Sequence, residues 1–420
     1  MELKKYKLGE IAEIVNGATP STSCEDNYDG EIVWITPKDL SDQKTKYIEC
    51  GSRNITQKGF NSCSAQIIPA YNILMSSRAP IGLLAINKTE CCTNQGFKNI
   101  VIDRSICDVD FLYYYLKYHI KEVEALGSGT TFKEVSKASL QQFEITIPSL
   151  DAQKHIASVL ADIDQKIALN RAINDNLEAM AKQLYDYWFV QFDFPNDDGK
   201  PYKSSGGKMV WNEKLKREIP DGWEVDTLNN WLEIKSGFPF KSETYLTSGR
   251  YKVITIKNVQ DGELDTTGCD FVDEIPQRSK DYIILKIGDR LISLTGNCGR
   301  LCTVCENDLL LNQRVGLLYC DKMYLEYLYN YLNSQPMRMV IDNLANGAAQ
   351  ANLSPVELCN TIFAMPQNNL LVKYNTKAEI IRNAIIRNHQ EITNLTKQRD
   401  ELLPLLMNGQ VSVNYHLSHD

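Results

Sequence analysis

No apolar run in these 420 residues approaches the ~20 needed to cross a bilayer. The opening Met1-Glu-Leu-Lys-Lys-Tyr-Lys7 lacks the apolar stretch of a secretory signal, so a cytoplasmic protein is expected. An excess of positive charge is also missing. There are 45 Lys and Arg against 53 Asp and Glu, a formal net charge of −8. That excludes gripping a polyanion by bulk charge, so any nucleic-acid reader must concentrate its cations on one face or borrow charge from a partner. Histidine is scarce: His119, His155, His389, His416 and His419 share no ligand spacing, and solvated or helix-surface positions are expected for them. The chain contains no Walker A loop, no Gly-x-Gly-x-x-Gly after a strand-like run and no His-Glu-x-x-His. It also lacks the acidic- or Asn-Pro-Pro-aromatic tetrapeptide with which amino-methyltransferases position a base. Nucleotide hydrolysis, zinc hydrolysis and self-contained base methylation therefore have no motif to stand on.

Cysteine, by contrast, is plentiful, with 12 residues scattered along the chain. Disulfide frameworks belong to short secreted domains, so reduced, mostly buried thiols are expected. Cys298, Cys302 and Cys305 match the spacing that holds a radical-generating iron–sulfur cluster. They fall on a strand–turn–strand pattern, however, and the matching stretch Ile81–Asn87 earlier in the chain has no cysteine, which disfavours a cluster.

A chain that is 43% hydrophobic can build two or three full cores. Self-similarity says how they are arranged. Leu8–Gly17 aligns with Leu228–Gly237 and Ile35–Asp39 with Ile254–Asn258. Further on, Gly82 falls opposite Gly299, Asn94-Gln95 opposite Asn312-Gln313, Gly129 opposite Gly347 and Pro148 opposite Pro366. The offset drifts from 220 to 217 and settles at 218, as small loop insertions would produce. An internal duplication follows. Within each copy the pattern reads α+β. Ile32–Thr36, Ile73–Met75, Ile145–Ile147, Lys252–Ile256 and Arg290–Leu294 read as strands. The tyrosine-rich Phe111–Tyr118 and Tyr324–Leu332 read as helices with aromatic faces turned into the core rather than stacked on bases.

From Asp151 the period changes. Ile156, Leu160, Ile163, Ile167, Asn170, Asn174, Leu177, Ala181, Leu184 and Trp188 alternate by four and three, as a coiled-coil seam does. Adding 218 gives Tyr374, Ala378, Ile381, Ile385, Asn388, Ile392, Leu395, Arg399, Leu402 and Leu406, in the same register. Asn170 and Asn388 occupy the same rung, where a polar residue costs stability and fixes pairing. About 33 helical residues make a rod of roughly 50 Å. Two such rods in one chain most simply pack antiparallel, with a globular copy at either end. That length is somewhat more than one ~34 Å turn of B-DNA. The expected architecture is therefore two α+β domains, 1–150 and 223–370, followed by long helices 151–190 and 371–410, with a turn-rich connector over 191–222. Helix pairing and partner docking are assigned to Ile163, Ile167, Asn170, Leu177, Ile381, Ile385, Asn388 and Leu395.

Three segments resemble the specificity subunit of type I restriction–modification enzymes. The first is Leu184-Tyr-Asp-Tyr-Trp-Phe-Val-Gln-Phe-Asp-Phe-Pro195, running into Gly199-Lys-Pro-Tyr-Lys-Ser-Ser-Gly-Gly207 and Ile219-Pro-Asp-Gly-Trp223. The second is Met75-Ser-Ser-Arg-Ala-Pro-Ile-Gly82, and the third Leu402-Leu-Pro-Leu-Leu-Met-Asn-Gly-Gln-Val411. With the repeat, the resemblance spans essentially the whole chain. It implies two target-recognition domains reading a bipartite double-stranded DNA site, with spacer helices that set the gap and dock two methyltransferase subunits. Nuclease/translocase subunits complete such complexes. It implies no chemistry on this chain: S-adenosylmethionine belongs to the modification subunits, ATP and Mg²⁺ to the nuclease. The competing reading is a coiled-coil scaffold that binds proteins only, which the acidic pI favours.

Base readout uses paired donors and acceptors, and phosphate contacts use cations, hydroxyls and backbone amides. Loop residues at matching places in the copies are therefore the candidates. In the first copy these are Thr36, Lys38, Ser77, Arg78, Gln95, Lys98, Thr130 and Thr131; in the second, Lys257, Asn258, Asn297, Arg300, Gln313, Arg314 and Gln350. Arg78 and Arg314 lead, since an arginine beside polar turn residues suits bidentate readout of guanine. Gly127–Thr131 is a candidate phosphate-binding turn. The second copy departs where Ser76–Gly82 becomes Leu294–Gly299; the resemblance implies that such domains diverge where they read bases, so the change is either specificity or decay.

Overall fold

Aliphatic and β-branched runs set the strands, and their pairing defines the fold. The computed structural model describes residues 2–41, 43, 45–129, 133–345 and 351–410. It is a mixed α/β structure with two long helices, and it divides into two units, Met1–Leu169 with Thr393–Asp420, and Asn170–Ile392.

In the first unit a five-stranded sheet runs in the order Ala12–Asn16, Lys98–Ile102, Ile73–Ser77, Ile81–Asn87, Tyr47–Ile48. Its pairs are antiparallel except the last, and its central strand Ile73–Ser77 is buried throughout. Lys4–Lys7 pairs with Glu144–Ile147, and Trp34–Ile35 lies parallel to Cys92–Thr93. The helix Val109–Tyr118 starts at Asp108, whose carboxylate accepts from Phe111 N at 3.0 Å. Its tyrosines Tyr113, Tyr114 and Tyr115 are buried in one core with Ile156 and Leu160 of the first long helix and Leu403, Leu406 and Met407 of the second. Polar bolts cross that core. Tyr114 OH donates to Asp164 Oδ2 at 2.6 Å, Arg399 bridges Asp164 at 2.9 Å, and Lys46 bridges Asp110 at 2.6 Å.

In the second unit Glu233–Ser236, Val315–Tyr319, Arg290–Ser293 and Leu301–Thr303 form an antiparallel sheet. A second sheet holds Asp270–Val272, Tyr251–Ile254, Leu309–Leu311 and Ile284–Leu285, its middle pair parallel. Glu224–Thr227 pairs with Ile362–Met365. The helix Lys322–Asn333, capped by Asp321, buries Tyr327 and Tyr329. The turn-rich stretch 191–222 is packed by its aromatic side chains. Tyr202 stacks on Phe194 with ring centroids 4.6 Å apart, Trp223 covers Phe194 and Phe192, and Met209–Asn212 pairs with Arg217–Pro220 as a hairpin.

The long helices are Leu150–Tyr185, continued by a π-helical turn Asp186–Val190, and Asn368–Met407. Pro404 lies inside the second, in its last turn, where a proline removes only one helical hydrogen bond before the end. All twenty seam positions predicted from the four–three spacing are buried or half-buried, whereas off the seam Ile173, Met180 and Ile380 are exposed. Of the eight residues assigned to helix pairing, Ile167, Asn170 and Ile385 are buried; Ile163, Leu177, Ile381, Asn388 and Leu395 are half-buried. Within the second unit Asn170 meets Glu391, Asn174 meets Asn388 and Glu178 meets Arg382, so the two helical segments run antiparallel. The rung shared in sequence by Asn170 and Asn388 is not a contact. Antiparallel packing turns Asn388 to Asn174 at 3.0 Å and Asn170 to Glu391 at 3.0 Å.

All twelve cysteines are free thiols; six are buried, five half-buried, and Cys50 is exposed. His155 is exposed on the first long helix, as expected, whereas two other histidines are partly covered. His119 packs on the Tyr115 and Tyr118 rings, and His389 is half-buried on the second long helix, where desolvation pushes its pKa down. His416 and His419 lie outside the described residues.

Candidate nucleic-acid interface

Four loops of the first unit are tied together by backbone hydrogen bonds. Asn94 N donates to Ile35 O at 3.0 Å, Ser77 N to Gly96 O at 2.7 Å, and Val135 N to Ser77 O at 3.0 Å. Each loop has a local reason for its shape. Thr36 N and Oγ1 both donate to Asp39 Oδ2, at 2.8 and 2.6 Å, which caps the short helix Pro37–Ser41 and leaves Lys38 exposed on its first turn. Burial opposes the charge on Asp39, but its bonds to Thr36 and Ser52 hold the carboxyl below its usual range. Asn94 Oδ1 accepts from Gly96 N at 2.9 Å. A side chain at Gly96 would be crowded, since a Cβ would stand 3.0 Å from Asn94 Oδ1 and 3.3 Å from Pro37 Cγ.

The fold gathers Ser77, Arg78 and Lys98 on a residue that motif reading passed over, Glu134. Lys98 Nζ lies 3.1 Å from Glu134 Oε1, Ser77 Oγ 3.3 Å from the same oxygen, and an Arg78 guanidinium nitrogen 3.8 Å from Oε2. Burial opposes the Glu134 charge, but Lys98, Arg78 and Ser77 outweigh it and hold the carboxyl below its ordinary value. Ser77 and Lys98 are buried, so their role in the cluster is to support Arg78 and Glu134, which are partly exposed. Gln95 is exposed and accepts from Thr19 Oγ1. Thr130 and Thr131 lie outside the described residues, as do Gly347 and Gln350.

The second unit builds a comparable surface. Asn312 N donates to Ile254 O at 3.0 Å, Leu294 N to Arg314 O at 3.0 Å, and Leu353 N to Leu294 O at 2.7 Å. Lys257, Asn297, Gln313 and Arg314 are exposed. Arg300 donates to Gln260 Oε1 at 2.6 Å, which makes Gln260 a second residue that motif reading missed. Asn258 is committed to the loop itself. Its Oδ1 accepts from Thr255 N and Oγ1 at 2.8 and 2.9 Å, and its Nδ2 donates to Asp265 O at 2.8 Å, so its buried amide holds the turn. A Thr followed three residues later by Asp or Asn, as at Thr36 and Thr255, is the sequence signal that identifies these two as caps.

The cysteine triplet is placed across the hairpin after Arg290–Ser293. Cys302 is buried within Leu301–Thr303, the Cys298 thiol donates to Leu294 O, and the Cys305 thiol to Thr303 O. Among the described residues no group of three or more His, Cys, Asp or Glu side chains is arranged to hold a metal ion, and no helix is long and apolar enough to cross a membrane.

Residues 1–179 match the model of the type I restriction modification DNA specificity domain. The MjaIX specificity subunit of a type I restriction enzyme from Methanocaldococcus jannaschii is 31% identical, with 98% of this chain and 94% of that protein covered. The HindI specificity subunit of Haemophilus influenzae is 23% identical, covering 97% of this chain and 99% of that one. Among solved structures, the crystal structure of a type I restriction-modification S subunit from M. genitalium superposes with a TM-score of 0.55 at 18% identity. It covers 97% of this chain and 96% of its own, a likeness of fold.

Proposed function

The chain belongs to the type I restriction-enzyme specificity subunits, and from that premise we propose that it reads a bipartite DNA target through two copies of one recognition domain. Specificity subunits are non-catalytic; the catalytic activities of these systems sit on other subunits. The copies are residues 1–150 and 223–370, the connector is 191–222, and the helices 151–190 and 371–410 pair as an antiparallel coiled coil that spaces the half-sites.

The observation that carries this reading is a hydrogen-bond pattern that recurs at the repeat offset. Ser76 Oγ donates to Pro80 O at 2.7 Å and accepts from Leu83 N at 2.8 Å; Ser293 Oγ donates to Asn297 O at 2.5 Å and accepts from Arg300 N at 2.9 Å. Thr36 on Asp39 corresponds to Thr255 on Asn258. Gly82 and Gly299 share a positive φ, 91° and 78°, with a following isoleucine, Ile120 or Ile341, where a Cβ would fall. In both copies these brackets shape the loops that hold the partly exposed Arg78 and the exposed candidates Lys38 and Gln95, or Lys257, Asn297, Gln313 and Arg314.

The acidic chain then makes its base contacts inside a complex whose methyltransferase and nuclease subunits supply much of the phosphate attraction. Seam residues such as Ile167 and Ile385 pair the helices, which leaves exposed apolar residues, among them Leu169, Ile173, Met180 and Ile380, for docking the modification subunits. The test maps methylated bases across the host genome with and without this chain. A gapped two-part motif lost on deletion is the expected result. Unchanged methylation, or salt-independent binding of the assembled complex to duplex DNA, overturns the reading.

A further inference from the structure

We infer that Arg78 and Glu134 together read one G·C pair of the half-site met by the first unit, Arg78 donating to the guanine and Glu134 accepting from the cytosine amino group. This rests on the DNA-reading function proposed above and extends it to a residue that no search for cations would choose.

A carboxylate in a DNA-facing cluster of a chain with net charge −8 calls for a physical reason. Part of it is Lys98. Its side chain is only 8% exposed, and a buried ammonium requires a counter-charge. Glu134 Oε1 meets that need and also takes the Ser77 hydroxyl. Neutralising Lys98 would be served as well by a fully buried acid. Glu134 is instead 38% exposed, and its second oxygen makes no hydrogen bond among the described residues. The carboxylate is thus held from behind by Lys98 and presents a free acceptor in front.

Arg78 stands beside that acceptor because of the backbone. Ser77 N binds Gly96 O, and Val135 N binds Ser77 O, which sets residues 78 and 134 on neighbouring segments. The 3.8 Å between the Arg78 guanidinium and Oε2 exceeds a normal N–H···O hydrogen bond of about 2.7–3.2 Å, so the guanidinium donors are not locked onto the acid. The pair therefore presents two parallel donors next to one acceptor. In the major groove a G·C pair offers N7 and O6 as adjacent acceptors, then the cytosine N4 donor; an A·T pair alternates acceptor, donor, acceptor. Guanine O6 and cytosine N4 are hydrogen-bonded to each other, about 2.9 Å apart. A guanidinium and a carboxylate at slightly larger spacing can reach both edges at once. Only the G·C order matches.

The second unit supplies the contrast. At the matching place Thr295 and Asn352 face each other in a backbone β-bridge, two neutral residues with no fork of donors. The half-site read by the second unit is therefore an internal control.

The experiment uses this chain assembled with its modification subunits and a duplex library randomised over both half-sites. Two variants are compared with the parent: Arg78→Ala, and the double replacement Lys98→Met with Glu134→Met, which removes acceptor and buried cation together so that no unpaired charge is left inside. The parent should require a G·C pair at one position of one half-site. Both variants should relax discrimination at that same position by about five- to 150-fold, with preferences in the other half-site unchanged. The inference is overturned if the double variant keeps full discrimination while Arg78→Ala loses it. It is equally overturned if both half-sites relax together, which would mark Glu134 as structural only. A parent complex without any two-part target overturns the proposed function as well, and so separates the two failures.

Discussion

Replacing Glu326 by leucine should unfold the second unit at a markedly lower temperature. Glu326 is 4% exposed on the helix Lys322–Asn333, where it pairs with the buried Arg290 and lies 3.5 Å from the buried Arg382. Arg382 also pairs with Glu178, and both guanidinium groups sit over the Tyr329 ring, at 5.3 and 4.7 Å. Two buried cations are thus balanced by the buried Glu326 and the partly exposed Glu178. Removing Glu326 leaves a net positive charge there and takes from Arg290 its only acidic partner among the described residues. Breaking a buried pair from one side costs about 3–5 kcal/mol. For a unit of this size that is a fall in Tm of roughly 6–20 °C. Differential scanning calorimetry of the full chain measures it. The compensated variant Arg290→Met, Glu326→Leu, Arg382→Met should recover most of the loss, because it replaces every deeply buried charge of the network by an apolar group and leaves only Glu178, whose side chain is 26% exposed to water. A single variant that melts within about 2 °C of the parent, the shift expected of a surface change, would refute the reasoning. So would a triple variant no more stable than the single one.

Three further outcomes are expected. Gly299→Ala forces a Cβ onto a backbone at φ 78° and to 2.5 Å from Ile341, and should cost more than about 1 kcal/mol in a denaturant melt; a neutral effect would mean that the hairpin relaxes freely. Tyr114→Phe removes the hydroxyl that donates to Asp164 at 2.6 Å and should lower the stability of the first unit by about 1.5–3 kcal/mol, the range for a bond to a charged group. His389 titrates below its usual value because burial disfavours its charged form. The unfolded chain therefore takes up this proton first, and stability that is complete above about pH 6.5 is lost as pH falls below it. Melts of the parent should show that loss, and His389→Gln should flatten the slope between pH 7 and 5.

The local features of this chain were legible because their causes are local. The four–three spacing of Ile156 to Trp188 marks a helix seam whatever the rest of the chain does, and those positions are covered in the fold. Gly82 and Gly299 stood out as matched glycines, and both occupy positive φ. The candidate site was legible only by residue type. Ser77 and Lys98 are chemically suited to DNA but are buried, and Asn258 has its amide occupied by the turn. Glu134 escaped notice because it lies 36 residues from Lys98 and 57 from Ser77, a separation at which nothing in the intervening chain signals contact. The asparagines mark the same limit: the repeat relates Asn170 to Asn388, while packing relates Asn388 to Asn174.

By itself, then, the amino-acid sequence determined the mixed helix-and-strand content, the covered positions along the two long helices and the family, because periodicity, turn chemistry and recurring motifs are written over short spans. Which polar side chains face outward, which carboxylate meets which cation and which rungs touch was decided only by tertiary structure. Those outcomes depend on burial and on distances between elements dozens to hundreds of residues apart. A charge is worth little in water and a great deal when desolvated, so the same lysine reads as a DNA contact in the sequence and becomes, in the fold, the anchor of a carboxylate.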